Sequence, residues 1–151
     1  MKKFIQLGLL LICLSGCATV NIPNYIKDDH PYTRTVYAGF DEARAAAGKA
    51  LQDSGWVVVD ETDPTVFEHS PIQDEGGREM LLFTDIKELP FILGTRYSRV
   101  NVYLRSTSRP KETEIEVRVL TIKSLTFMEL RKHKQPRVAD KIFADIEKHL
   151  K

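Results

Sequence analysis

Two cysteines and four histidines have the widest chemical range in this chain, and their spacing decides what they can do. His30, His69, His133 and His149 stand far apart, with no second ligand three or four residues away, which is not the spacing of a metal site. Asp28, Asp29 and His30 adjoin one another between two prolines, a setting in which such residues are solvated rather than ligating. No serine occupies a Gly-x-Ser-x-Gly elbow, no glycine-rich loop carries a phosphate-binding lysine, and Gly76-Gly77 reads as a turn. Carboxylates are plentiful, but nothing pairs two of them across a cleft for hydrolysis. The chain therefore reads as a non-enzyme without metal or cofactor, and a hydrolase of envelope polymers is disfavoured. Cys17 is the exception. It follows Leu14, Ser15 and Gly16 at the end of an apolar run from Phe4 to Leu14 behind Lys2 and Lys3, the layout of a secretory signal with a cysteine at the cleavage position. That run is well short of the ~20 apolar residues a membrane-crossing helix needs.

The stretch Leu14-Ser15-Gly16-Cys17 resembles a bacterial lipobox. The resemblance implies diacylglycerol on the Cys17 thiol, cleavage just before it by signal peptidase II, and acylation of the new N-terminus. Residues 1–16 would be the signal peptide and residues 17–31 a lipidated, flexible tether, leaving 32–151 as one domain. In this class an Asp after the lipidated cysteine tends to retain the protein at the inner membrane. Ala18 stands there instead, which implies outer-membrane sorting with the domain facing the periplasm. Cys13 would leave with the signal, so the folded body would hold no disulfide or thiolate metal site. Charge is near balance, with 22 basic and 21 acidic residues, and gives no global electrostatic case for nucleic acid.

The elements follow from local pattern. Residues 18–31 carry prolines, asparagines and an acidic pair, and fully extended they would reach about 45 Å. Tyr32 to Ala38 alternates as a strand that Gly39 ends. Asp41 is placed to cap a helix from Glu42 to Asp53 with Phe40 as staple, its buried face made of Ala43, Ala46, Ala47, Ala50 and Leu51, and Gly55 is its left-handed stop. Trp56 to Glu61 reads as a strand, as does Val66 to Ser70, although Asp63-Pro64 also fits the start of a helical turn. Arg78 to Lys87 is apolar on both faces, as suits a central strand covered on both sides or a strand with its outer face against a partner. Pro136 suits the first position of a closing helix whose stripe is Val138, Ala139, Ile142, Phe143, Ile146 and Leu150.

A hairpin is the clearest long-range inference. Folding about Arg109/Pro110 pairs Leu104 with Ile115, Val102 with Val117 and Val100 with Val119, and sets Arg105, Tyr103 and Asn101 opposite Glu114, Glu116 and Arg118. A slip of one residue would oppose apolar to charged side chains throughout. The second face is expected to be a solvated polar ladder. Residues 121–127 would extend the strand, and Met128 to Gln135 would be a basic connector.

The predicted class is α+β: a two-layer, mostly antiparallel sheet of five to six strands with two helices on one face, in the order β-α-β-β-β-β-β-α. With Phe40-Asp41-Glu42-Ala43 at the first helix entry, Leu51 to Gly55-Trp56 at its exit and Ile142-Phe143 to Ile146 in the last helix, this order resembles the helix-grip domains of small envelope lipoproteins. The lipoprotein C component of the outer-membrane β-barrel assembly machinery belongs to that group. Two stretches are candidate partner or membrane contacts: the apolar Leu89, Phe91, Ile92 and Leu93, interrupted by Pro90 and ended by Gly94, and the basic Arg131, Lys132 and Lys134 with Arg137 nearby. The leading expectation is a membrane-anchored binding or assembly accessory. The alternative is a small-ligand or lipid-binding module with a cleft between the last helix and the sheet, lined by Phe143, Val102 and Phe83.

Overall fold

The computed structural model describes residues 20–68, 77–125 and 128–151. Its elements in chain order are β1 (Tyr32–Val36), α1 (Phe40–Asp53), β2 (Val58–Thr62), a 3₁₀ turn (Pro64–Val66), β3 (Glu79–Thr84), β4 (Lys87–Phe91), β5 (Gly94–Ser106), β6 (Thr113–Leu125), β7 (Met128–Lys132) and α2 (Pro136–His149). The signal stretch through Cys17 and Ala18 lies outside the described residues, as does His69.

The long β5–β6 hairpin is the spine. Its register pairs Leu104 with Ile115, Val102 with Val117 and Val100 with Val119, as the period-two pattern requires. Around it the antiparallel sheet runs β1-β6-β5-β3-β2, with β4 on β5 and β7 on β6 beyond the ends of β3 and β1. Both helices cover one face, so the α+β class holds with seven strands instead of five to six. The two additional strands come from residues read as a loop and a connector. β4 and β7 are short and almost wholly exposed, so burial imposes no alternation on them for a sequence pattern to reveal. Pro90 is tolerated because β4 pairs on one side only.

On the helix side, Ala43, Ala46, Ala47, Ala50 and Leu51 of α1 and Ala139, Ile142, Phe143 and Ile146 of α2 close over Val100, Val102, Leu104, Ile115, Val117 and Val119. Gly55 ends α1 at φ 75°, with its N–H donating to Gln52 O and that of Trp56 to Leu51 O. The helix begins differently from the reading above. Gly39 is the N-cap and Phe40 the first helical residue, while Asp41 is held by the Arg78 guanidinium at 2.7 Å and caps nothing. A bidentate arginine competes successfully for a carboxylate that backbone amides would otherwise take.

Two further expectations fail on the opposite face. Val66–Ser70 is no strand in its described part: Asp63 accepts the Thr65 N–H at 2.9 Å, Pro64 opens a 3₁₀ turn, and Phe67 then stacks on Tyr25 and meets Phe83 edge-on. The polar ladder of the hairpin is not solvated either. Asn101, Tyr103, Arg99 and Arg118 are buried, because residues 20–26, expected as a free tether, lie across them as a strap. Asn101 accepts the Ile26 N–H at 2.7 Å and donates to Asn24 O at 3.1 Å, while Arg99 donates to Pro23 O at 2.8 Å. Period two reports which residues share a face, but not what covers it. Here the strap carbonyls of Asn24 and Pro23 accept from Asn101 and Arg99, although Arg99 Nε and Arg118 Nε have no hydrogen-bond partner among the described residues. β3 is sandwiched as predicted, with Leu82 under the helices and Leu81 and Phe83 on the strap side.

Candidate anion-binding cleft

Past the helices the hairpin continues as a bare arm. Along β5 the helix-facing positions run Leu104, Val102, Val100, then Ser98 and Arg96. Along β6 they run Ile115, Val117, Val119, then Thr121 and Lys123. The change from valine to hydroxyl to cation marks where the sheet face loses its helical cover. β4 adds Lys87 and Leu89 to this face and β7 adds Lys132 and Leu130, by the register of their pairing. The start of α2 and the exit of α1 form the opposite wall, with Gln135, Arg137, Val138, Lys141, Ser54 and Trp56.

The space between holds two neighbouring hollows, of about 280 and 400 Å³, which share Arg96, Thr121 and Gln135 in their walls. Lys87, Arg96, Lys123, Arg131, Lys132, Arg137 and Lys141 all line it, and among the described residues no carboxylate does. Lys141 is tied to Asp145 at 2.9 Å, and that hydrogen bond, with one from Ser54, holds the Asp145 carboxyl below its usual range. Lys87 lies over the Trp56 ring at 5.2 Å. Among the described residues no carboxylate comes within ion-pair reach of Arg96, Lys123, Lys132 or Arg137. α2 starts here at Gln135 with no side-chain cap, so the positive end of its dipole adds to the same field. Ser98 and Thr121 hydroxyls, 3.0 Å apart, supply neutral donors at the floor. Such a set suits a group with several anionic oxygens, phosphate above all.

The basic stretch singled out in the sequence is split three ways. Lys132 faces the cleft, Arg131 lies on the other alternation with Glu129 at 3.8 Å yet still lines the cleft's edge, and Lys134 turns back over Tyr32 and bonds the His30 carbonyl. Asp28 pairs with Lys134 at 3.7 Å and accepts the His30 N–H. Leu89 lines the cleft, and Phe91, Ile92 and Leu93 form the exposed tip of the arm. Arg96, Lys123, Lys87 and Lys141 went unread, although the loss of apolar residues at helix-facing parity after Val100 and Val119 is a signal that finds the first two. The apolar cleft of Phe143, Val102 and Phe83 does not form: the first two are packed solid between α2 and the sheet, and Phe83 points to the strap side.

Beneath the strap lies a second charged cluster. Arg118, 4% exposed, is bonded to Glu68, to Glu116 at 2.8 Å and to the Tyr25 hydroxyl at 3.0 Å. Burial pushes the Tyr25 hydroxyl up to about 12, helped by its bond to Glu68. Burial alone would also raise Glu68, but the bonds from Arg118 and Tyr25 outweigh it and hold that carboxyl below its ordinary value. Glu68, Glu116 and the Tyr25 hydroxyl engage the terminal nitrogens of Arg118, so the cluster works as a latch for the strap.

Among the described residues no three His, Cys, Asp or Glu side chains are grouped to hold a metal, and no helix is long and apolar enough to cross a membrane. Fold and cleft together define an α+β domain with a basic site at the open end of its sheet. Neither models of known protein families nor curated proteins give a match to the chain.

Proposed function

We propose that this protein is a non-enzymatic lipoprotein of the cell envelope, anchored through lipid on Cys17, that binds phosphate-bearing ligands in the basic cleft. The observation that carries the reading is the unbalanced lining: cations from β4, β5, β6, β7 and α2 converge with no carboxylate among the described lining residues. Lone surface lysines need no such convergence, and holding like charges together is costly unless an anion offsets them. The lipobox-like Leu14-Ser15-Gly16-Cys17 supports the anchor, and Ala18 supports an outer-membrane, periplasm-facing address.

Calorimetric titration with pyrophosphate tests the site. Binding should be salt-sensitive, and Arg96→Gln or Lys123→Gln should each weaken it about tenfold, the worth of one charged hydrogen bond. Equal affinity for a neutral sugar, or no response to either substitution, would refute the proposal. A second reading, an assembly accessory that takes a protein partner, is favoured by β2, which ends the sheet path with Val57 and Val59 exposed. Mild crosslinking in native membranes should then trap a partner on β2, and a chain that stays alone removes that reading.

A further inference from the structure

The strap also has a direction. From Ile26 back to Ile22 its polar contacts move from Asn101 to Arg99, and Val20 and Ile22 pack on the cluster of Ile26, Leu120 and Ile122. The chain is therefore heading along the hairpin toward the arm when the described residues end. Cys17 is three residues before Val20, which bounds their Cα separation at about 11 Å. Ile122 is three residues from the arm end of β6 and nine from its other end, about 10 and 30 Å along the strand.

At that same end the β4–β5 turn presents Ile92, 100% exposed, and Leu93, 67% exposed, with Phe91 and, from β7, Met128 also open to solvent. Lys123 and Lys132 stand two and four pairs back from the tip, on the cleft side. An apolar tip with Lys123 and Lys132 behind it on the cleft face, and Glu129 held by Arg131 on the other, matches the layering of an anionic bilayer, with acyl chains below phosphates.

We propose that the arm is a membrane-docking face: Phe91, Ile92 and Leu93 enter the interface of an anionic bilayer, Lys123 and Lys132 meet its phosphates, and the basic cleft opens toward the headgroups. The orientation rests on the Cys17 anchor and assigns the cleft a lipid-side ligand. Residues 20–26 act as a fixed strap that holds the domain against the membrane instead of a long leash.

The test uses the lipidated protein, full length after processing, carrying Ile92→Trp and reconstituted into vesicles of phosphatidylcholine with or without phosphatidylglycerol, with brominated acyl chains as quencher. The inserted indole should be quenched, more strongly with phosphatidylglycerol, while buried Trp56 in the parent protein is not. Lys123→Glu and Lys132→Glu should each lower the docked-to-free ratio about fivefold. Protein that floats with the vesicles yet shows no quenching of the indole would overturn docking while leaving the anchor intact. Protein that does not float at all would overturn the anchor and this orientation with it. An unquenched indole at position 92 that crosslinks to the same position of another copy would assign the tip to a second copy and also overturn it.

Discussion

Asn101→Ala is the perturbation that tests the strap most sharply. Asn101 is completely buried, accepts the Ile26 N–H at 2.7 Å and donates to Asn24 O at 3.1 Å. Truncation strands two backbone groups on the covered sheet face, at about 1–3 kcal/mol each, so a loss of about 2–6 kcal/mol is expected. Ile26, 1% exposed, then loses its register on Leu120 and Ile122. Set against roughly 5–15 kcal/mol for a domain of this kind, the variant still folds but its strap opens. Urea unfolding should show a midpoint lower by about 1–2 M. Amide exchange should show Ile26 losing about 30-fold protection or more, while Val102 and Val117 change only with global stability. A midpoint within about 0.3 M of the parent, with Ile26 equally protected, would refute the strap and the direction inferred from it.

Three other outcomes follow from local geometry. The depressed Glu68 carboxyl contributes stability that is present above the ordinary glutamate range and lost as pH falls through its lower folded value. Urea midpoints should therefore fall on acidification below about pH 4.5, and Glu68→Gln should lower stability at neutral pH while flattening that acid limb. Gly94→Ala should destabilise the arm, because a Cβ there would lie 1.9 Å from Ser124 O, and thermal unfolding should fall by the equivalent of about 1–3 kcal/mol. Lys111 holds φ 61° in the β5–β6 turn, so Lys111→Gly should raise stability by about 1 kcal/mol in the same assay.

The spine of this fold was legible because burial on one face forces alternation: the valines and isoleucines of β5 and β6 set a register that a one-residue slip would ruin. The helices were legible for the same reason, through Ala43 to Leu51 and Ala139 to Ile146. What escaped was structure held by polar contacts between distant residues. Residues 22–26 look like linker until Asn101 and Arg99 supply partners for their backbone. Asp41 looks like a cap until Arg78 approaches it. The cleft was half visible: Lys132 and Leu89 were named as contacts, but their convergence with Arg96, Lys123 and Arg137 depends on β4 and β7, whose exposed residues carry no periodic signal.

The proposed anchor on Cys17 would make the basic cleft a membrane-side site, and the mass of the N-terminal peptide from protein taken out of its native membrane tests it directly. The peptide should begin at Cys17 and carry diacylglycerol on the thiol. A chain with Cys17 unmodified, or one whose N-terminus lies elsewhere, would contradict the account.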